Sequence, residues 1–105
     1  MNTSASPVIV YVTYQGTPQD RFDRDYYIEA HLPLVMKAWS PHGLLGVTAF
    51  FPALAHEGTL AICECVFRDA HAVEAAFGSP EASAVMADVP RYTALAPRRF
   101  QAVAL

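Results

Sequence analysis

The order in which strand-like and helix-like segments follow one another most constrains the fold of this chain. Four runs rich in β-branched and aromatic residues are separated by two amphipathic regions, in the order strand, helix, strand, strand, helix, strand. This order predicts an α+β domain of the ferredoxin-like βαββαβ type, with helices on one face of an antiparallel sheet. One domain of this kind accounts for residues 1–105.

Turn residues and helix caps place the boundaries of these segments. Strands are predicted at residues 8–14, 44–51, 59–67 and 100–105, and helices from Asp20 or Asp23 to Trp39, at 70–77 and from Pro80 to about Ala87. Asp69 is the expected cap of the second helix, and Gly78 is expected as the left-handed residue that ends it. Ser79 is then the expected cap of the short third helix.

Pro33 lies inside the first helical segment. Proline has no amide hydrogen and disfavours the α conformation in the residue before it. We therefore expect the helix to bend or break around His31 and Leu32, and to restart after Pro33.

One face of the predicted sheet has no helices, and no other segment of the chain is left to cover it. Large side chains such as Tyr11, Phe50 or Phe51, and Phe67 are expected on both faces of the strands. A homodimer that packs sheet against sheet would bury the second face, and Trp39 is expected as an interface anchor. The composition, 53% apolar and 16% charged, favours such an interface.

Charge and motif content exclude several classes of function. The net charge is −3 and the seven basic residues form no stripe, so a nucleic-acid partner is not expected. The chain begins without a charged and then apolar leader, and no run of about 18 apolar residues occurs, so we expect a cytoplasmic protein without a membrane partner. Glycine-rich nucleotide motifs and the nucleophile-elbow motif are absent from the sequence, which predicts no nucleotide cofactor.

Cys63 and Cys65 are separated by one residue and therefore point to the same face of a strand, a spacing that strains a direct disulfide. They are expected to be small core or cavity residues. A zinc site needs two further ligands, and the four histidines show no paired ligand spacing, so no metal is expected.

A longer motif supports a family resemblance. The pattern Phe22-x-x-x-Tyr26-Tyr27-x-x-x-His31-x-Pro33-Leu34-Val35, with the later Gly78-Ser79-Pro80-Glu81 and Ala87-Asp88-Val89, resembles the EthD family of the dimeric α/β-barrel superfamily. The resemblance implies a ferredoxin-like protomer whose sheet packs on that of a second copy to form a dimeric barrel.

The same resemblance implies a range of functions. The founding member of the family is associated with ethyl tert-butyl ether degradation, and superfamily relatives include lactone isomerases, polyketide cyclases and cofactor-free monooxygenases. A small aromatic, lactone or other apolar ligand and a site without a cofactor are therefore expected. Some relatives bind haem through a histidine, and His31 is the residue that would serve as the axial ligand; we rank this below a cofactor-free site.

His31 is the expected catalytic residue, because imidazole is the side chain best suited to move a proton near neutral pH. The alternative is a structural histidine that bonds carbonyls freed by Pro33. Tyr27 precedes His31 by four residues and shares its helical face, so it is a candidate to bind substrate or the histidine itself. Tyr26 points about a hundred degrees away from Tyr27, so the two cannot face the same cavity and one of them is expected in the core. A core role for Tyr27 is the alternative.

Three strand residues are further candidates for substrate binding: Tyr11, Thr13 and Glu64. Tyr11 and Thr13 lie on the strand face opposite Val8, Val10 and Val12, and polar groups among apolar strands often line a ligand cavity. Glu64 interrupts an apolar strand, so it either faces solvent or enters a cavity as a candidate base. A buried tyrosine with a backbone partner would explain Tyr11 equally well.

Two functions are consistent with these residues. The first is a cofactor-independent isomerase, cyclase or monooxygenase that uses His31 as acid or base. The second is a noncatalytic accessory protein that holds an apolar metabolite in the same cavity. A closed pocket in which polar groups converge on His31 favours the enzyme, whereas a shallow apolar pocket, or a histidine bonded to backbone through both nitrogens, favours the binding protein.

Overall fold

A computed structural model describes residues 6–103 and consists of one antiparallel sheet with helices on one side. The strands and helices are β1 (Val8–Gly16), α1 (Arg24–Tyr26), α2 (Leu32–Trp39), β2 (Leu44–Phe50), β3 (Gly58–Phe67), α3 (Ala70–Phe77), α4 (Ala82–Asp88) and β4 (Arg98–Ala102). The sheet order is β2-β3-β1-β4, with every neighbouring pair antiparallel. This is the ferredoxin-like arrangement, which confirms the predicted α+β fold of the protomer.

The strand register divides the sheet into two faces. Val12 pairs with Cys63, and both side chains contact the cavity beneath the helices; we call this side the helix face. The neighbouring residues Tyr11 and Glu64 pair with each other and point the opposite way, because side chains alternate along a strand. We call that side the open face.

The first helix runs without a break from α1 to α2, which differs from the predicted interruption at Pro33. A π-helical turn, Tyr27–His31, joins the two segments, and the amide of Leu32 donates to the carbonyl of Tyr27 five residues earlier. Leu32 keeps the α conformation although it precedes proline. The proline ring would meet the carbonyl of Glu29 in an α-helix, and Glu29 lies in the wider turn, so the π-helix relieves the clash.

The structure confirms some of the predicted helix caps and not others. Asp23 accepts the amide of Tyr26 at 3.0 Å, and Asp69 accepts the amide of Ala72 at 2.8 Å, as predicted for both aspartates. Gly78, however, has a φ of −92° and is not left-handed. Ser79 donates to the carbonyl of Ala76 at 2.7 Å, so it closes α3 instead of capping α4.

Two aromatic clusters form the core under the helix face. The first surrounds Phe22, whose ring centroid lies 5.1 Å from that of Tyr14, and includes Tyr27 and Tyr92. The second joins Trp39 to Phe77 at 4.6 Å and contacts Phe67. Trp39 is therefore a buried core residue and not the predicted interface anchor, because its ring is covered by α3 and β3 within the protomer.

The open face exposes apolar side chains from both edge strands. Phe50 on β2 is 50% exposed and Phe100 on β4 is 54% exposed. Phe67 is fully buried on the helix face. Within residues 6–103, no helix has the length and apolar character needed to cross a membrane.

Candidate functional site

A cavity of about 340 Å³ lies between the helix face and helices α2 and α4. Its wall is mainly apolar and includes Val12 from the sheet, Val35 from α2 and Val85 from α4. Both aromatic clusters contribute to the wall, with Tyr14 and Tyr27 from the first and Trp39 and Phe77 from the second. The volume lies in the lower part of the range typical of small-molecule sites, roughly 300–1,000 Å³.

His31 is a polar member of this wall and is only 4% exposed. It is the last residue of the π-helical turn, and such turns often occur at functional sites. Its Nδ1 lies 2.9 Å from Oδ2 of Asp88, at the end of α4, so the two helices hold the pair together. Because an ionised carboxylate only accepts hydrogen bonds, Nδ1 carries the proton and Nε2 is the basic nitrogen.

The surroundings of His31 favour its neutral form. Burial lowers the pKa of His31 below its ordinary 6.5, although the neighbouring Asp88 carboxylate opposes this. Burial alone would raise the pKa of Asp88, but the hydrogen bonds from His31 and Tyr26 outweigh it and keep that pKa below its ordinary value. A neutral imidazole beside an ionised carboxylate can take up a proton, since the carboxylate stabilises the imidazolium that forms.

Asp88 is held by two further side chains. Tyr26 donates its hydroxyl to Oδ1 at 2.7 Å, and the guanidinium Nε of Arg91 lies 3.7 Å from the same oxygen. Tyr26 therefore supports the carboxylate that orients His31. The sequence predicts that Tyr26 and Tyr27 point in different directions, and in the structure Tyr26 contacts Asp88 whereas Tyr27 stacks on His31.

The Nε2 side of His31 faces a pair of tyrosines. The hydroxyl of Tyr92 lies 3.3 Å from Nε2 and 2.6 Å from the hydroxyl of Tyr14. Burial raises the pKa of both tyrosines, so both hydroxyls stay protonated at neutral pH and can donate. The contact from Tyr92 to Nε2 is long for a hydrogen bond, which leaves Nε2 able to accept a better donor.

Tyr27 lies beside His31, as the four-residue spacing predicts. The two rings stack with centroids 5.3 Å apart and an angle of 19° between their planes. Tyr27 is 1% exposed, and burial raises the pKa of its hydroxyl, so the residue is a neutral wall of the cavity as well as part of the core.

Cys63 and Cys65 lie on the sheet side of the cavity as free thiols with sulfurs 3.7 Å apart. The contact with Cys63, together with burial, raises the pKa of Cys65. Both residues are buried, as the sequence predicted for small core or cavity positions. Among residues 6–103, no group of three or more potential ligands could hold a metal ion.

The structure separates Tyr11, Thr13 and Glu64 from His31, so the candidate residues do not come together in one cavity. They lie on the open face, on the other side of the sheet from the cavity, because their positions on β1 and β3 have the opposite parity to those of Val12 and Cys63. Tyr11 donates to Glu64 Oε2 at 2.8 Å, and this hydrogen bond raises the pKa of Tyr11.

Four residues of the site were missed by sequence reasoning: Tyr14, Tyr26, Asp88 and Tyr92. Asp88 belongs to the motif that carries the family resemblance, and that position was its only signal. Tyr14 shares a strand face with Val10 and Val12, which the alternation shows, but the sequence does not indicate that this face carries the cavity. Tyr92 had no local signal.

His31 does not suit a haem ligand. An axial bond to iron would have to use Nε2, because Nδ1 is bonded to Asp88. Nε2 faces the Tyr92 hydroxyl at 3.3 Å, and the ring centroids of Tyr92 and Tyr27 lie 4.6 Å and 5.3 Å from that of His31. A porphyrin plane across an axial bond at Nε2 would overlap these rings, whereas a single atom of a small ligand needs no such clearance. The residues present therefore do not fit a haem bound through His31.

Comparison with models of known families identifies the family of this chain. The EthD domain family model matches residues 15–96, a region that contains His31, Asp88 and Tyr92. The chain belongs to the EthD family. A comparison with curated proteins gave no significant match.

Solved structures show the same fold as this EthD chain. An EthD-like protein from Ralstonia eutropha JMP134 superposes with a TM-score of 0.81, at 23% identity, over 94% of this chain and 92% of that one. An ethyl tert-butyl ether degradation family protein from Bacillus halodurans C-125 gives 0.64 at 16% identity, over 91% and 99%. SnoaB from Streptomyces nogalater, a cofactor-independent oxygenase, gives 0.60 at 12% identity, over 97% of each chain.

Proposed function

We propose that this protein binds a small aromatic or otherwise apolar molecule in the cavity, and that His31 moves a proton on it without a cofactor. The observation that carries the proposal is the pair formed by His31, which is buried and lines an apolar cavity, and Asp88, which lies behind it and bonds its Nδ1 at 2.9 Å. The nitrogens of His31 contact the side chains of Asp88 and Tyr92, and both partners are polar groups that converge on the ring. This arrangement favours an acid–base role over a histidine tied to backbone carbonyls.

In the proposed reaction, Nε2 accepts a proton from an acidic C–H or O–H of the ligand. The ligand becomes an enolate or phenolate, and Asp88 stabilises the imidazolium through the Nδ1 proton. Tyr92 orients Nε2 and is itself held by Tyr14. Return of the proton to another atom of the ligand completes an isomerisation and restores neutral His31. In a ring closure, the enolate carbon first attacks a carbonyl carbon of the same ligand, and the alkoxide that forms then takes the proton from His31. An oxygenation would in addition consume molecular oxygen, as a cofactor-independent oxygenase does.

A noncatalytic binding protein is the second candidate. It is favoured by the apolar wall and by the contact of Tyr92 with Nε2, which leaves no ring nitrogen of His31 without a partner. Such a protein would hold a catabolic intermediate in the same cavity without changing it.

A homodimer and a cytoplasmic location complete the proposal. Phe50 and Phe100 lie exposed on the open face, and a second copy of the chain that packs sheet against sheet would cover both. The thiols of Cys63 and Cys65 are free, which is the usual state in the reducing cytoplasm.

Binding and proton transfer can be tested separately. Trp39 is the single tryptophan of the chain and lines the cavity, so its fluorescence reports which aromatic, enone or lactone compounds bind. For compounds that bind, NMR in D₂O then measures deuterium incorporation at acidic C–H positions. We expect the protein to accelerate this exchange, and His31→Gln to lose about 10²–10⁴-fold of the acceleration while binding changes less than about threefold.

His71→Gln is the matched control, because His71 is exposed on α3 away from the cavity. It should bind and exchange as the wild type does. Exchange by His31→Gln at the wild-type rate would contradict the acid–base role. Tight binding without any exchange in the wild type would establish the binding protein instead.

A further inference from the structure

Arg99 carries a positive charge at the opening of the cavity. Its position on β4 pairs with Val12, so its side chain projects from the helix face and joins the cavity wall. Arg99 is exposed, as is Met86 on α4, whereas most of the wall is buried or half-buried. These two residues therefore mark where the cavity meets solvent.

The guanidinium of Arg99 is held in place by an aromatic ring. Its central carbon lies 3.8 Å from the ring centroid of Phe77, which also lines the cavity. A contact at this distance is a cation–π interaction and limits the orientations that the long side chain adopts. A ring against the guanidinium does not use its donors, and no side-chain hydrogen bond within residues 6–103 involves Arg99.

No carboxylate neutralises this charge within the described part of the chain. The ion pairs of residues 6–103 involve His31, His42, Arg68 and Arg91, and none includes Arg99. No aspartate or glutamate belongs to the cavity wall, and His31 is kept neutral by burial. The cavity therefore presents a single positive charge to its contents, in a protein of net charge −3.

We propose that Arg99 binds a carboxylate or a similar anionic group of the ligand at the cavity opening, so that the ligand is an aromatic or apolar acid. A planar guanidinium and a carboxylate can form two parallel hydrogen bonds, which fixes orientation as well as affinity. The apolar body of the ligand then fills the cavity and faces His31. This assignment rests on the proposed binding cavity and adds the substrate class to it.

Calorimetric titration with 2-naphthoate and its uncharged amide, 2-naphthamide, tests the assignment. The wild type should bind the acid about tenfold more tightly than the amide. Arg99→Gln should lose this preference and still bind the amide as the wild type does. Arg99→Lys should retain part of the preference, because it keeps the charge and loses the planar pair of donors. The preference should also shrink as salt is raised, since the opening is exposed.

Lys37→Gln removes one exposed positive charge from α2 outside the cavity wall and should leave the preference unchanged. Equal preference for the acid in Arg99→Gln and wild type would overturn the anion site without affecting the proposed binding cavity. A wild type that binds the amide but shows no preference for the acid would do the same. Binding of neither compound by the wild type would reject the proposed cavity and the Arg99 assignment with it. His31→Gln should keep the full preference, so loss of proton transfer is separable from loss of the anion site.

Discussion

A tyrosine–carboxylate pair lies on each side of the sheet, and the two pairs differ in their surroundings. On the helix side, Tyr26 donates to Asp88 at 2.7 Å; on the open face, Tyr11 donates to Glu64 at 2.8 Å. Asp88 also accepts from the buried His31, and this chain of contacts reaches the cavity. Glu64 accepts from Tyr11 on a face that no helix covers. The pair on the helix side is a candidate site because Asp88 also bonds His31, which lines the cavity. Within residues 6–103, the pair on the open face has no such histidine.

Core packing should show the largest difference between the faces. Phe67→Ala removes a fully buried ring from the helix face and should lower the free energy of unfolding by about 3–5 kcal/mol. Phe100→Ala removes a half-exposed ring from the open face and should cost the protomer less than about 1 kcal/mol while it weakens the proposed dimer. Urea denaturation and analytical ultracentrifugation measure the two effects. Equal losses of stability would show that the open face is part of the protomer core.

The second-largest difference should be between Asp88 and Glu64 in their effect on the rate of proton transfer. Asp88→Asn removes the charge that stabilises protonated His31, so ligand exchange in D₂O should slow on the order of 10²-fold. Glu64→Gln, the matched change on the open face, should alter the rate less than about threefold, because Glu64 does not line the cavity. NMR exchange rates on both variants measure the contrast. A slow Glu64→Gln variant with a normal Asp88→Asn variant would reverse the assignment of the two faces.

The pH dependence of stability should show a smaller difference. The pKa of His31 is lower in the folded state than its ordinary 6.5, so the unfolded chain takes up a proton first as the pH falls. Stability should therefore decrease below about pH 6.5, and His31→Gln should lose this part of the decrease. Asp88, whose folded pKa lies below 3.8, contributes a separate loss at more acidic pH. Thermal unfolding between about pH 7 and 2 tests both. A profile in His31→Gln that matches the wild type would mean that the pKa of His31 is not lowered in the folded state.

Local patterns predicted much of this chain because the forces behind them act over a few residues. Asp23 and Asp69 cap helices through amides three residues away, and Tyr27 meets His31 through the spacing of one helical turn. The sequence predicted the position at which Pro33 perturbs the helix but not the form of the perturbation. A π-helical turn accommodates the proline without a break in the helix. The choice between those responses depends on packing around the turn, which no short pattern contains.

Local sequence patterns could not predict the hydrogen-bond partners of His31. Asp88 and Tyr92 lie 57 and 61 positions further along the chain, and Tyr14 meets Tyr92 across 78 positions. Each of these contacts depends on how α4 and the segment after it pack on the sheet. Tyr11, Thr13 and Glu64 were placed with His31 because strand alternation defines two faces without stating which of them the helices cover.

The sequence by itself determined the order of the elements, the family, and the common face of Tyr27 and His31, because periodicity and local hydrogen bonds act within a segment. Only the tertiary structure decided which face of the sheet carries the cavity, that Asp88 orients His31, and that Arg99 lies at the opening. Those features arise where distant segments meet, and burial there sets the charge of His31 and the chemistry available to it.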